Sequence, residues 1–326
     1  MAAYTGIQGQ NILIVSSDPA NPTEGQIWYN STTNLLKGYA NVVTNAWASG
    51  GALNTAVRAN AGTGTQTAAL SFGGVLTAQT GQTELYNGTS WTTSPASLSA
   101  GRSGLAGVGT QTAGLAFGGS GATGLTAVTE EYDGTSWTSG GSLSTARSGL
   151  GGAGTQTTGL GFGGATPANT AATEEYDGTS WTAGGSLNTA REGLAGAGTQ
   201  TAGLGFGGYP VTGATELYDG TSWTNNPTGL NTARSSLGRA GTQTAALGFA
   251  GYKGGPPPVN SGATELWNGT SWTTNPNSIS TIRHNLGSAG TQTSALAFGG
   301  NAGNPGTTAT EEWTGDALAV RTITTS

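Results

Sequence analysis

The sequence predicts an all-β fold assembled from repeats. One frame recurs along most of the 326 residues, at spacings of 42 to 49. Inside each copy, short segments alternate apolar and small residues with period two, bounded by Gly, Asn and Asp turns. No segment has helical period or helix caps, and Gly (60 residues) and Thr are poor helix formers.

The third copy shows the frame in full. Arg147 opens it, and a small Gly-rich strand (a) runs from Leu150 to Ala153. Gly154-Thr155-Gln156-Thr157 reverses the chain. Strand b, Gly159 to Phe162, sets Leu160 and Phe162 two apart and so on one face, and ends in Gly163-Gly164. A variable stretch leads to strand c, Thr173 to Tyr176. Asp177-Gly178 is a hairpin signal, and strand d carries Trp181. The recurring residues are Arg58, Arg102, Arg147, Arg191, Arg234 and Arg283; Gln66, Gln111, Gln156, Gln200, Gln243 and Gln292; Phe72, Phe117, Phe162, Phe206, Phe249 and Phe298; Glu84, Glu130, Glu174, Glu216, Glu265 and Glu311; and Trp47, Trp91, Trp137, Trp181, Trp223 and Trp272.

Four strands in about 40 to 50 residues predict a propeller blade. Innermost strands converge on the axis, which explains their glycines, while Trp and Phe fill the wedges between sheets. Six a–b hairpins predict six blades. The last strand c, Thr310 to Trp313, has no following TSW, and Trp47 lies one repeat before Trp91. The strand around Trp47 is therefore expected to complete the blade begun at Arg283, which leaves no free edge. The alternative is seven blades: 11–15, 26–30, 35–39 and 45–48 would form an atypical first blade, and 317–324 would complete the last. The expected division is an N-terminal attachment arm over 1–26 and a propeller over 27–326. Within it, 27–51 serves as closing hairpin and strand, and repeats begin near residue 52.

The order LGFGG, EEY, W, R, found six times with variations, resembles the kelch repeat over residues 47 to 326, with a shorter Tyr–Trp turn than usual. That resemblance implies the fold and says little about function. Residues 21–39, NPTEGQIWYNSTTNLLKGY, resemble a module near the N-terminus of bacteriophage tail-fibre and other virion structural proteins. The GTQTA and DGTSW strings look like kelch-type proteins of marine phages.

Composition excludes several chemistries. With 0 Cys there is no disulfide, thiolate metal site or Cys nucleophile. A copper oxidase with the kelch fold needs a Tyr–Cys crosslink and two His ligands, whereas this chain has 1 His, His284. Net charge is −6 with 10 Lys+Arg and no basic run, which argues against nucleic acid. No apolar stretch approaches a membrane span. Residues 1–6 lack the basic start and apolar core of a signal peptide.

A feature copied into every blade reads as architecture, so the repeated Arg, Glu and Trp (Trp91, Trp137, Trp181, Trp223 and Trp272 in the complete copies) are expected to be structural, each Glu paired or hydrogen-bonded. His284 stands where other copies have Ser or Glu and reads as a surface-loop residue, with a lone acid–base role as the alternative. Asp133, Asp177 and Asp219 are explained by Asp-Gly turns without calcium. The a–b and c–d turns are nearly constant on one face, while the b–c and d–a loops vary on the other. Variable loops on a rigid scaffold are where binding resides, and the most distinctive residues there are Tyr209, Tyr252, Lys253 and Pro257.

The resemblances imply a non-enzymatic virion protein, a tail-fibre or tail-associated propeller made in the host cytoplasm, without catalytic residues, metal or cofactor. Its expected partners are other virion proteins through the arm and a host-surface glycan or protein through the variable face. Homo-oligomerisation is left open. A purely structural decoration or fibre subunit, or a secreted carbohydrate-binding module, are the alternatives.

Overall fold

A computed structural model describes residues 12–42, 45–255, 259–303 and 306–323. No helix is present among them, and the chain divides into two compact units.

The larger unit, Ala46–Thr314, is a six-bladed propeller. Each blade is a four-stranded antiparallel sheet in the order a-b-c-d. In the third blade the strands are Gly151–Gly154, Gly159–Phe162, Thr173–Tyr176 and Trp181–Gly184. The inner strands Ala61–Gly64, Ala106–Gly109, Gly151–Gly154, Ala195–Gly198, Gly238–Gly241 and Gly287–Gly290 neighbour one another in order, and the last neighbours the first. Close approach is why glycine recurs in them. A Cβ on Gly196 would lie 2.5 Å from the Gly152 carbonyl of the preceding blade.

The sixth blade is completed from the N-terminal side. Ala46–Ser49 pairs antiparallel with Thr310–Thr314, with Trp47 opposite Trp313. Trp47 also makes the contacts of every other strand-d Trp. Its Nε1 donates to Thr264 Oγ1 of the preceding blade at 2.9 Å, as Trp223 does to Thr173 and Trp91 to Thr310. Its ring meets Phe249 edge-on at 4.8 Å.

The seven-blade alternative and the expected division at residue 27 are both corrected. Leu13–Val15, Ile27–Asn30 and Leu35–Val42 form a separate sheet with Ala317–Thr322, in the unit that holds residues up to Asn45 and from Gly315 onward. Ala46–Ser49 takes the place beside Thr310–Thr314 in the last blade, and 317–322 pairs with Leu35–Val42 instead. The hairpin expected around 31–34 is present within this smaller sheet. Asp18 anchors the preceding loop by accepting from Trp28 Nε1, Asn30 Nδ2 and Lys37 Nζ.

The propeller core lies between blades. Phe162, Leu160 and Ala153 of one blade pack against Tyr218, Trp223, Leu187 and Leu194 of the next. Burying each such large side chain contributes about 1.5–3 kcal/mol. Polar ties repeat with the same period. The Gln of each a–b turn reaches back to two carbonyls of the preceding blade: Gln200 Nε2 donates to Gly159 O (3.0 Å) and Tyr176 O (2.7 Å). Gln66 does so to Ala295 and Trp313 across the closure. This is the physical reason for the constant GTQT turn.

Candidate functional site

The variable face is built on the d–a loops. Five of them carry a buried ion pair within one blade: Arg102–Glu130, Arg147–Glu174, Arg191–Glu216, Arg234–Glu265 and Arg283–Glu311, at 2.7 to 3.3 Å. The same guanidinium holds the base of the b–c loop, as Arg147 Nη1 does through Gly163 O and Ala172 O. The Glu's second oxygen accepts a backbone N–H from the incoming d–a loop, as Glu174 does from Ser144 at 2.7 Å. Arg and Glu thus fix where both variable loops begin. Burial pulls these arginines below the ordinary guanidinium value, and the neighbouring carboxylate opposes that.

Arg58 does not belong to this set. Ala61 and Gly62 occupy the places of Ala106 and Gly107, so the counterpart of Arg102 is Val57, and Arg58 matches Ser103. In this first blade Glu84 is held by Gln82 Nε2 and Asn54 instead.

The residue after each buried Arg pairs with the b–c loop of its own blade: Ser103 with Ser120, Ser148 with Ala165, Glu192 with Tyr209, Ser235 with Tyr252, His284 with Asn301, and by the corrected register Arg58 with Val75. The next residue closes a circle. Gly104 N donates to Ala59 O, Gly149 to Gly104, Gly193 to Gly149, Ser236 to Gly193, Asn285 to Ser236, and Ala59 to Asn285, at 2.6 to 3.0 Å. All six hold φ between 52° and 67°.

This hydrogen-bonded circle floors a bowl of about 450 Å³ over the axis. Ser103, Ser120, Ser148, Glu192, Tyr209, Ser235, Tyr252 and His284 are among the residues that line it. Tyr209 is 52% exposed, and Tyr252 stacks at a tilt on His284, centroids 5.7 Å apart. The His284 Nδ1 is buried without a hydrogen-bond partner, and burial, with the charge of Arg58, lowers its pKa from 6.5. The bowl therefore offers two phenols, one carboxylate, one neutral imidazole and several hydroxyls.

Of the four residues picked from the variable loops, Tyr209 and Tyr252 meet in the bowl. Lys253 is exposed but does not line it, and Pro257 lies outside the described residues. His284 lines the bowl rather than sitting idle on a loop. Asp133, Asp177 and Asp219 spend their carboxylates inside their own turns: Asp177 Oδ1 accepts from the Thr179 and Ser180 N–H groups at 2.8 Å. Hydrogen bonds from the Thr179 hydroxyl and these amides hold the Asp177 carboxyl below the usual range. Among the described residues no group of three or more His, Cys, Asp or Glu could hold a metal ion.

Arg239 was missed at the sequence level. It stands in an inner strand where four other blades have Gly62, Gly107, Gly152 and Gly196 and the sixth has Ser288. Reading GRAG against AGVG, GGAG and AGAG was the available signal.

No family model matches the chain, and no curated protein matches it.

Proposed function

We propose that this chain is a non-enzymatic recognition propeller that binds a hydroxyl-rich ligand, such as a host-surface glycan, in the bowl of its variable face. The observation that carries the reading is the meeting of Tyr209 and Tyr252, from different blades, beside Glu192 and His284 in one open bowl. Tyrosines supply flat apolar area with a polar tip, which suits the faces and hydroxyls of sugars. The bowl's volume lies in the range of small-molecule sites. It has one carboxylate, Glu192, where glycoside hydrolysis ordinarily uses a pair. The N-terminal resemblance supports placing the chain on a virion, at a tail or fibre, with residues before the propeller making the attachment.

The test has two arms. The purified chain is applied to a glycan array and to host cells, alongside the double variant Tyr209→Ala and Tyr252→Ala. Binding by the wild type that the double variant loses supports recognition through the bowl; equal binding by both removes it. Separately, density-fractionated particles are probed with gold-labelled antibody. Label at tails or fibres supports the virion placement, label over capsids favours decoration, and signal confined to the soluble fraction favours a secreted module.

A further inference from the structure

The inner strand of the fifth blade breaks the repeat at the axis. Five blades keep a glycine or serine at this position, and the fifth carries Arg239. Its guanidinium reaches across the channel, where Nη2 donates to Gly107 O of the second blade at 3.1 Å. Its backbone N–H donates to Ser288 Oγ of the neighbouring blade at 3.2 Å. Blades two and five are opposite in a six-membered ring, so this side chain spans the axis.

Every other arginine in an inner or d–a position described above, Arg58 aside, faces a glutamate. Arg239 does not: among the described residues no carboxylate lies within 4.0 Å of it. A guanidinium has five N–H donors, and one of them is taken by a protein acceptor here. The remaining nitrogen atoms are not sealed off, because none is among the buried polar atoms without a partner. They border open space on both sides. A cavity of about 120 Å³ lies toward the a–b turns, lined by Gly62, Gly107, Gly152, Gly196 and Ser288, and one of about 80 Å³ lies toward the circle of backbone bonds.

In an antiparallel strand one residue's N–H and C=O point to the same side. Gly107 O and Arg239 N both bond toward the axis, so the backbone at this level turns polar groups into the channel. A cation here, with unspent donors and no fixed counter-charge, calls for a mobile one.

The geometry points to the axial channel as a binding site for one compact anion, a halide or a small oxyanion, held by the Arg239 guanidinium with Ser288 Oγ alongside. The larger cavity opens on the a–b-turn face, away from the bowl, so this site is independent of the proposed recognition surface. Its size admits an ion with a few waters and excludes a sugar or nucleotide. Burial lowers the Arg239 pKa to about 10, which leaves it charged at neutral pH.

The test uses crystals of the full chain soaked in bromide, with anomalous diffraction. Arg239→Gly, the residue that four blades already carry, serves as the variant expected to fold, and Arg239→Gln is the isosteric check. The expected result is a bromide peak in hydrogen-bond range of the guanidinium, absent from both variants. In solution the wild-type melting temperature should rise saturably with bromide or inorganic phosphate. Either variant should weaken the apparent affinity by at least about tenfold, the loss of one charge-assisted contact. Ordered water in place of bromide at Arg239, or an identical anion response in wild type and Arg239→Gly, would overturn the assignment.

Discussion

The Tyr218 hydroxyl donates to Glu175 Oε1 of the preceding blade at 2.5 Å. Burial first, and the carboxylate second, push this phenol up to about 12. Tyr176 bonds Glu131 and Tyr86 bonds Glu312 in the same way. Where strand c carries Leu in that place, at Leu217 and Leu266, the next blade has Trp267 and Trp313, whose Nε1 groups turn to Gln243 O and Gln292 O. Tyr132 follows Leu85 and donates to Gly134 O of its own turn. Five of the six blade junctions thus pair Glu with Tyr or Leu with Trp for a local reason, and Leu85 with Tyr132 is the exception. Glu175→Leu removes this bond and leaves the Tyr218 hydroxyl only a carbonyl of its own turn, as Tyr132 has opposite Leu85, so it should cost about 0.5–1.5 kcal/mol. Adding Tyr218→Trp should recover most of it. Urea unfolding of the four-variant cycle measures the coupling, and a double variant no more stable than Glu175→Leu would refute it.

The first blade suggests a rescue for the buried ion pairs. Removing one partner leaves a buried charge, so Arg191→Val should destabilise by about 3–5 kcal/mol. Glu216 would keep its bonds from Asn188 N and Nδ2. In the first blade Val57 replaces the Arg, and Gln82 Nε2 donates to Glu84 Oε1 at 3.1 Å. Gln82 matches Ala214, as each carbonyl accepts from the Gly that ends strand b. Ala214→Gln added to Arg191→Val should therefore recover part of the loss. Calorimetric melting of the single and double variants decides it.

Much of this architecture was legible because the repeat states each position six times. Strand b of the third blade falls at Gly159–Phe162 as its Leu-Phe alternation predicts, and Trp47 closes the ring as its spacing predicts. Arg58 was misaligned because identity outweighed count: eight residues separate it from Gln66, and nine separate every other Arg from its Gln. The smaller sheet escaped because it pairs Leu35–Val42 with Ala317–Thr322, a contact with no local signal. Tyr209 and Tyr252 stood out by loop variation, but their meeting with His284 depends on the ring closing. Circular hydrogen bonding at Ala59 was hidden too, since nothing in RAN announces a left-handed residue.

That circle predicts opposite effects at two of its members. Ala59 holds φ 54° and Gly149 holds φ 67°. A left-handed conformation costs an L-residue roughly 1–2 kcal/mol, offset in part by the greater freedom of glycine when unfolded. Ala59→Gly should therefore raise stability by up to about 1 kcal/mol. Gly149→Ala should lower it, since a Cβ there also meets Gly193 N at 3.2 Å. A shift in urea midpoint at constant slope is the expected readout. Destabilisation by Ala59→Gly would mean that the Ala59 methyl group, rather than the backbone bond, holds that part of the circle.

His284 ties the bowl to pH. Its pKa is lowered from 6.5, first by burial and then by the charge of Arg58 in the adjacent blade. A depressed imidazole means that the unfolded chain takes up the proton first. The stability that follows from neutral His284 is then fully present above the unfolded value of 6.5 and is lost as pH falls below it, until the folded value is reached. His284→Asn removes this dependence. The difference in unfolding free energy between wild type and variant should be flat above about pH 7 and decline toward pH 5. Taking the difference cancels the contributions of groups common to both proteins. A flat difference curve, or a variant that keeps the wild-type slope, would place the pH response elsewhere.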